Sequence, residues 1–168
     1  MSSKIPFSKL EIDPLALIPR ILFIGILCVC FYPVEPRFFF VISFFSYYMI
    51  AQLARLLLFP NALYKGIGLL KKADFEKAIP VIQESIDYFR KKPWVDRYRF
   101  PLLLSMSKRS LTEVMLCNLA YCYLKIGEVN KSKQLYESVL QEFPENIIAK
   151  TMLDTINLIS ADAVANKN

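Results

Sequence analysis

The sequence predicts an all-α protein in which an N-terminal transmembrane helical hairpin precedes a short α-solenoid. The chain has 168 residues, of which 55% are hydrophobic, and nine of its thirteen Phe lie before residue 60. No Asp or Glu occurs between residues 36 and 73. From residue 61 onward, apolar residues recur with the period of an amphipathic helix. We therefore assign residues 1–59 to a membrane anchor and residues 60–168 to a helical domain.

The anchor contains two apolar runs separated by a polar break. Residues 38–59 form 22 residues without an acidic side chain, which span about 33 Å as a helix and match a hydrocarbon core of about 30 Å. Residues 15–32 are weaker, because Pro19 and Arg20 leave only 12 uncharged residues after them. The break at residues 33–37 contains two prolines, which end a helix. This order predicts a helical hairpin with both termini on one side.

Charges at the ends of the hairpin predict its orientation. Seven basic residues flank the hairpin against Arg37 alone in the turn: Lys4, Lys9 and Arg20 at the first end, and Arg55, Lys65, Lys71 and Lys72 at the second. The positive-inside rule places both termini in the cytoplasm. Arg20 and Arg55 lie near helix ends, where we expect their side chains to snorkel to the headgroups.

Two other interpretations fit the apolar half less well. A cleaved signal peptide is disfavoured because Glu11 and Asp13 interrupt the basic region and no small-residue cleavage site follows the first run. A buried hairpin in a soluble protein is disfavoured because the second run is apolar around its whole circumference, as in Phe38–Phe40, Phe44–Phe45 and Tyr47–Tyr48. The membrane interpretation is therefore preferred.

Residues 113–146 contain a helix-turn-helix pattern with small residues where two helices approach closely. The first helix carries large, large, small and large residues at Leu116, Leu119, Ala120 and Tyr123. Gly127 marks the turn, and Pro144 closes the unit. The second helix carries small, aromatic and small residues at Ser132, Tyr136 and Val139. This segment resembles a tetratricopeptide repeat, a 34-residue unit of two antiparallel helices. The resemblance implies a stacked helical array that binds other proteins.

A weaker copy of the same pattern spans residues 62–89. Gly66 and Ala78 take the small positions, and residues 73–75 form the predicted turn, whereas Lys65 and Pro80 depart from the family pattern. A final amphipathic helix over residues 147–159 would cap the array, with a predicted apolar stripe of Met152, Leu153, Ile156 and Ile159.

The two copies are separated by a basic insertion at residues 90–109, which we expect either to stand apart or to lengthen the next helix. Seven cations and several aromatic residues occur there with Asp96 as the one acid. Such a composition next to membrane spans predicts contact with anionic lipid. The alternative is a solvated linker. The candidate lipid-contact residues are Arg90, Lys91, Lys92, Trp94, Arg97, Arg99, Lys108 and Arg109.

The resemblance also implies a concave groove lined by the first helix of each unit. Carried over by position, the groove residues are Leu63, Ile67, Leu70, Lys71, Val114, Cys117, Tyr121, Leu124 and Lys125. This mostly apolar lining favours another protein that supplies an amphipathic helix or an apolar peptide. The alternative is that the insertion or the C-terminal helix covers part of the groove.

Enzymatic chemistry finds little support in the residues. The chain has no His, which removes the commonest general base and a usual zinc ligand. Gly66 and Gly68 begin a dinucleotide-like pattern that is not completed. We therefore expect no enzyme, no cofactor, no metal and no nucleic-acid partner. The leading hypothesis is a membrane-anchored adaptor or scaffold at the cytoplasmic face, and the rival is a structural subunit assembled through its hairpin.

Overall fold

The computed structural model describes residues 17–98 and 109–165, and within these ranges the chain forms eight α-helices and no β-strand. The predicted all-α class is confirmed for these residues. The helices are α1 Leu17–Phe31, α2 Phe39–Leu58, α3 Asn61–Lys71, α4 Phe75–Lys91, α5 Pro93–Arg97, α6 Leu111–Lys125, α7 Val129–Glu142 and α8 Ile147–Ala165.

The chain divides into two compact units. One contains α1, α2 and α5, and the other contains α3, α4, α6, α7 and α8. One boundary between them along the chain falls between Pro60 and Asn61, and the described residues Lys92–Tyr98 group with the first unit. The basic insertion is thus divided: Arg90 and Lys91 end α4 in the second unit, α5 belongs to the first unit, and α6 begins at Leu111.

In the first unit, α1 and α2 pack against each other as an antiparallel hairpin. The rings of Tyr32 and Phe39 meet beside the turn with centroids 5.5 Å apart, and those of Phe23 and Tyr47 meet farther along at 5.8 Å. The turn at residues 32–38 contains Pro33 and Pro36 and is held by the Glu35 amide, which donates to the Phe31 carbonyl at 3.0 Å. The predicted break therefore occurs where the prolines stop the helix.

In the second unit, each helix packs mainly on its neighbours in a linear series. The contacts run from α3 to α4, from α4 to α6, from α6 to α7 and from α7 to α8. The small residues predicted where paired helices approach closely, Ala78, Ala120 and Ser132, are fully buried. A Cβ added at Gly66 would lie only 3.1 Å from Cγ1 of the buried Ile82. Glycine therefore allows α3 and α4 to approach closely.

The same kind of turn joins the two helices of each pair, α3 to α4 and α6 to α7. Ala73 and Gly127 both have positive φ, at 58° and 86°. After each of them, a backbone amide donates back to a carbonyl five residues earlier, Asp74 to Leu69 at 3.1 Å and Glu128 to Tyr123 at 2.9 Å. This is the Schellman arrangement that ends a helix with a left-handed residue. The predicted turn positions are thus confirmed.

The C-terminal helix differs from its predicted extent. It continues to Ala165 rather than ending near residue 159. Leu153 and Ile156 are buried as expected, but Ile159 is 64% exposed. The predicted stripe is therefore wrong at its last position, because α8 has 19 residues and α7, the helix on which it packs, has only 14.

Replacement of two glycines of α3 by the same residue tests the close helix approach. We expect Gly66→Leu to lower the free energy of unfolding by about 1–3 kcal/mol, because the new side chain meets Ile82. Gly68→Leu is the matched control, because a Cβ there has no neighbour within 4 Å. It should raise stability by about 0.5–1 kcal/mol through helix propensity. Thermal unfolding of the full chain in detergent measures both, and equal effects would contradict the predicted packing.

Candidate membrane surface and partner groove

The surface of α2 is apolar and exposed on nearly all sides. The large exposed apolar side chains on this helix are Phe40, Val41, Phe44, Phe45, Tyr48, Met49, Ile50, Leu53, Leu56 and Leu57. Only Ser43, Tyr47 and Ala51 are buried, at four-residue intervals on one side. Such a continuous apolar surface exceeds what water-soluble proteins usually expose.

Helix α2 is the one helix in the described part of the chain that is long and apolar enough to cross a membrane. Its 20 residues extend about 30 Å, the thickness of a hydrocarbon core. Helix α1 is also apolar but has 15 residues, or about 22 Å. The structure therefore provides one helix of membrane-spanning length.

Arg20 is half-buried on α1, and its snorkelling to the headgroups stays a prediction. Its Nε and Nη2 atoms are buried, and no described residue forms a hydrogen bond with either of them. The side chain is close enough to Tyr47 for a Coulombic interaction, and the Tyr47 hydroxyl is likewise buried and unpaired among the described residues. Part of the Arg20 guanidinium therefore lies near Tyr47 of α2, and the described residues provide no hydrogen-bond partner for the buried nitrogens or for the Tyr47 hydroxyl.

Much of the predicted groove is not an open surface. Leu63, Leu70, Cys117 and Tyr121 are buried, whereas Ile67, Val114 and Leu124 are half-buried and Lys71 and Lys125 are exposed. The accessible members of the predicted lining are therefore three partly exposed apolar residues and two lysines, on α3 and α6. We call these five residues, Ile67, Lys71, Val114, Leu124 and Lys125, the residual groove.

Contacts within the second unit account for the burial of two groove residues. The ring of Phe75 meets the ring of Tyr121 edge to face at 5.8 Å, and Lys125 Nζ lies 5.3 Å from the centre of the Tyr121 ring. Cys117 Sγ accepts a hydrogen bond from Asn146 Nδ2 at 3.4 Å. Because Asn146 immediately precedes α8, the start of the C-terminal helix closes over this part of the lining, as the alternative interpretation proposed.

Asn146 forms a buried polar junction that the sequence interpretation missed. Its Oδ1 accepts a hydrogen bond from the Ala149 amide at 2.7 Å, and its Nδ2 donates to Glu113 Oε1 at 2.7 Å. The first bond caps α8, and the second links that cap to α6. An Asn directly before an apolar helical segment is a recognisable capping signal, but its contact with Glu113, 33 residues away, is not visible in the sequence.

Cys117, Cys122 and Tyr136 of the second unit pack as interior groups. Burial raises the pKa of the Cys122 thiol to about 12, and burial also raises the pKa of Tyr136. A thiol with so high a pKa is protonated at neutral pH and is a poor nucleophile or metal ligand. Cys117 and Cys122 are both buried and free of disulfides. In residues 17–98 and 109–165, no group of three or more His, Cys, Asp or Glu side chains converges on one point.

The described residues of the basic insertion differ in their exposure and contacts. Arg90, at the end of α4, pairs with Glu142 of α7 at 3.3 Å, and Lys91 beside it is exposed. Around α5, Lys92, Trp94 and Arg97 are exposed, whereas Arg109 is half-buried. Two candidate lipid-contact residues, Arg99 and Lys108, lie outside the described residues.

Comparison with known proteins gives no relative: no protein-family model matches the chain, and no curated protein or solved structure is significantly similar to it.

Removal of the Asn146 side chain tests the polar junction. We expect Asn146→Ala to lower the free energy of unfolding by about 2–3 kcal/mol, because α8 loses its cap and buried Glu113 loses a donor. Asn157→Ala, on the exposed side of α8, should change stability by less than about 0.5 kcal/mol. Chemical unfolding of the full chain in detergent compares the two. Similar losses for both variants would contradict a special role for Asn146.

Proposed function

We propose that this protein is a membrane-anchored adaptor in which a two-pass helical hairpin holds a tetratricopeptide-like array at the cytoplasmic face. The observation that carries the proposal is the exposed apolar surface of α2, followed after only Phe59 and Pro60 by the stacked helices that begin with α3. A bilayer accommodates this surface, and the short connection keeps the array next to the membrane.

The two-pass arrangement is supported by the antiparallel packing of α1 and α2. Helix α1 is about 8 Å shorter than a 30 Å core. The adjoining turn includes exposed Tyr32 and Val34, which extend the apolar length beyond Phe31. Local thinning of the bilayer accommodates the rest at modest cost. The excess of basic residues at the outer ends of the hairpin favours cytoplasmic termini.

The tetratricopeptide-like assignment is supported by repeated local geometry. The pairs α3–α4 and α6–α7 end their first helix with the same left-handed turn, at Ala73 and Gly127. Each pair also has small buried residues at its crossing, and α4 packs directly on α6 despite the insertion between them. Stacking of successive helix pairs is the arrangement from which helical-repeat proteins build their binding surfaces.

The partner proposed for this array is another protein that presents an amphipathic helix or peptide. The residual groove places Ile67, Val114 and Leu124 with two exposed lysines, Lys71 and Lys125. Its half-buried apolar residues suit the apolar side of a helix, and its lysines suit acidic residues at the edge of that helix. Membrane attachment would raise the effective concentration of the bound partner at the bilayer.

Photocrosslinking in intact membranes tests the adaptor proposal. A photoreactive amino acid replaces Lys71 or Lys125 in the residual groove, or the exposed Gln134 of α7 as a control. We expect the chain to remain in membranes after an alkaline wash, and the two groove positions to form the same protein adduct that Gln134 does not form. Release by the wash would contradict the anchor. Retention without a groove-specific adduct would contradict the adaptor role alone.

A second function, assembly into a membrane complex through the hairpin, is favoured by Arg20. The side chain buries unpaired guanidinium nitrogens beside the unpaired Tyr47 hydroxyl, and the only acidic residue between positions 17 and 58 is Glu35 in the turn. An unpaired charge in an apolar layer costs several kcal/mol. A carboxylate from another membrane helix would supply an acceptor that residues 17–98 and 109–165 do not provide.

Substitution of Arg20 tests this second function. If a carboxylate of another chain pairs with the guanidinium, Arg20→Leu should weaken the complex by about 3–5 kcal/mol, because the partner then buries an unpaired charge. Arg37→Leu, in the exposed turn, is the matched control and should leave assembly unchanged. Native electrophoresis of detergent-solubilised membranes measures the size of each complex. A complex of unchanged size with Arg20→Leu would exclude assembly through this residue.

A further inference from the structure

The short helix α5 of the basic insertion has one buried side and one exposed side with cationic and aromatic residues. In α5, Val95 is fully buried and Asp96 is 8% exposed, whereas Trp94, Arg97 and the following Tyr98 are exposed. The one acidic residue of the insertion is thus buried, while cationic and aromatic side chains point outward. Pro93 at the first position of the helix restricts the backbone where this arrangement begins.

The position of α5 in the unit of the apolar hairpin indicates which kind of surface its exposed side chains contact. The described residues Lys92–Tyr98, which include α5, are part of the same compact unit as the apolar hairpin and not of the helical stack. A cationic and aromatic surface in a unit that carries a membrane helix is suited to the headgroup layer. Trp and Tyr are enriched at that depth, and Lys and Arg bind anionic lipids there.

We infer that α5 and the following Tyr98 form an anionic-lipid contact in which Trp94 and Tyr98 enter the interface while Arg97 meets lipid phosphates. This inference rests on the proposed membrane anchor and adds a specific lipid class to it. The contact excludes Arg90, which pairs with Glu142 in the other unit. Near an anionic surface, each basic group shifts the equilibrium toward the docked segment by about fivefold.

Trp94 is the only tryptophan in the chain and reports directly on this contact. The full protein is reconstituted into vesicles of phosphatidylcholine alone or of phosphatidylcholine with phosphatidylglycerol, each with a spin-labelled lipid that quenches fluorescence near the headgroups. We expect stronger quenching and a bluer Trp94 emission in the vesicles that contain phosphatidylglycerol. Raising the salt concentration from about 0.1 M to about 1 M shortens the Debye length from about 10 Å to about 3 Å and should remove much of the difference.

A charge reversal with a matched control assigns the effect to α5. Arg97→Glu should reduce the preference for phosphatidylglycerol by about fivefold or more. Lys150→Glu, on the exposed side of α8, makes the same change in net charge and should leave Trp94 quenching unaltered. If Lys150→Glu reduces the preference as much as Arg97→Glu does, net charge alone explains the effect and the inference is overturned.

The same samples separate failure of this inference from failure of the anchor. If the protein is retained in both vesicle types after an alkaline wash but Trp94 is unquenched, the lipid contact is overturned and the anchor stands. Equal quenching in neutral and anionic vesicles would also overturn it, because anionic headgroups would then have no part. Loss of the protein from the vesicles on washing would overturn the anchor and the lipid contact together.

Discussion

The apolar surface of α2 is the constraint from which the rest of the organisation follows. One neighbouring helix covers a single side of α2, and only three α2 residues are buried. Ten large apolar side chains of this helix remain exposed. Full burial of a large apolar side chain is worth about 1.5–3 kcal/mol, and these ten side chains are roughly half exposed or more, so the exposed surface represents a free energy comparable to the about 5–15 kcal/mol of net stability of a typical domain. A bilayer would remove that cost.

The helical stack is, by contrast, stabilised mostly by contacts between elements adjacent in the series. Each helix pairs with the one before and the one after, so that the chain closes only short loops except across the insertion. The left-handed residues Ala73 and Gly127 reverse the chain with bonds that span a single helical turn. The longer-range link from Asn146 to Glu113 then joins the last helix to α6. Local turns thus set the helical pairs, and one buried polar contact fixes the end of the stack.

This balance between local and distant contacts explains which features the sequence could predict. Helical periodicity, prolines and turn residues predicted most of the helices, the break before α2 and the turns at Ala73 and Gly127, because these depend on nearby residues. The proximity of Arg20 to Tyr47 and the junction at Asn146 depend on residues more than 20 positions away, which periodicity does not identify. The predicted groove was partly filled for the same reason: a repeat pattern gives the side of a helix, whereas Asn146 and Phe75 come from outside that helix.

The two proposed functions use binding residues in different environments, one exposed to water and one inside the apolar hairpin. The residual groove offers exposed lysines, and surface ion pairs contribute about 0–1 kcal/mol each. Arg20 is half-buried but has two buried guanidinium nitrogens in an apolar hairpin, where pairing would relieve a penalty of several kcal/mol. If both surfaces are used, the hairpin would supply most of the affinity for a membrane partner. The groove would then contribute mainly selectivity, because its weak contacts discriminate among peptides that the membrane has already concentrated.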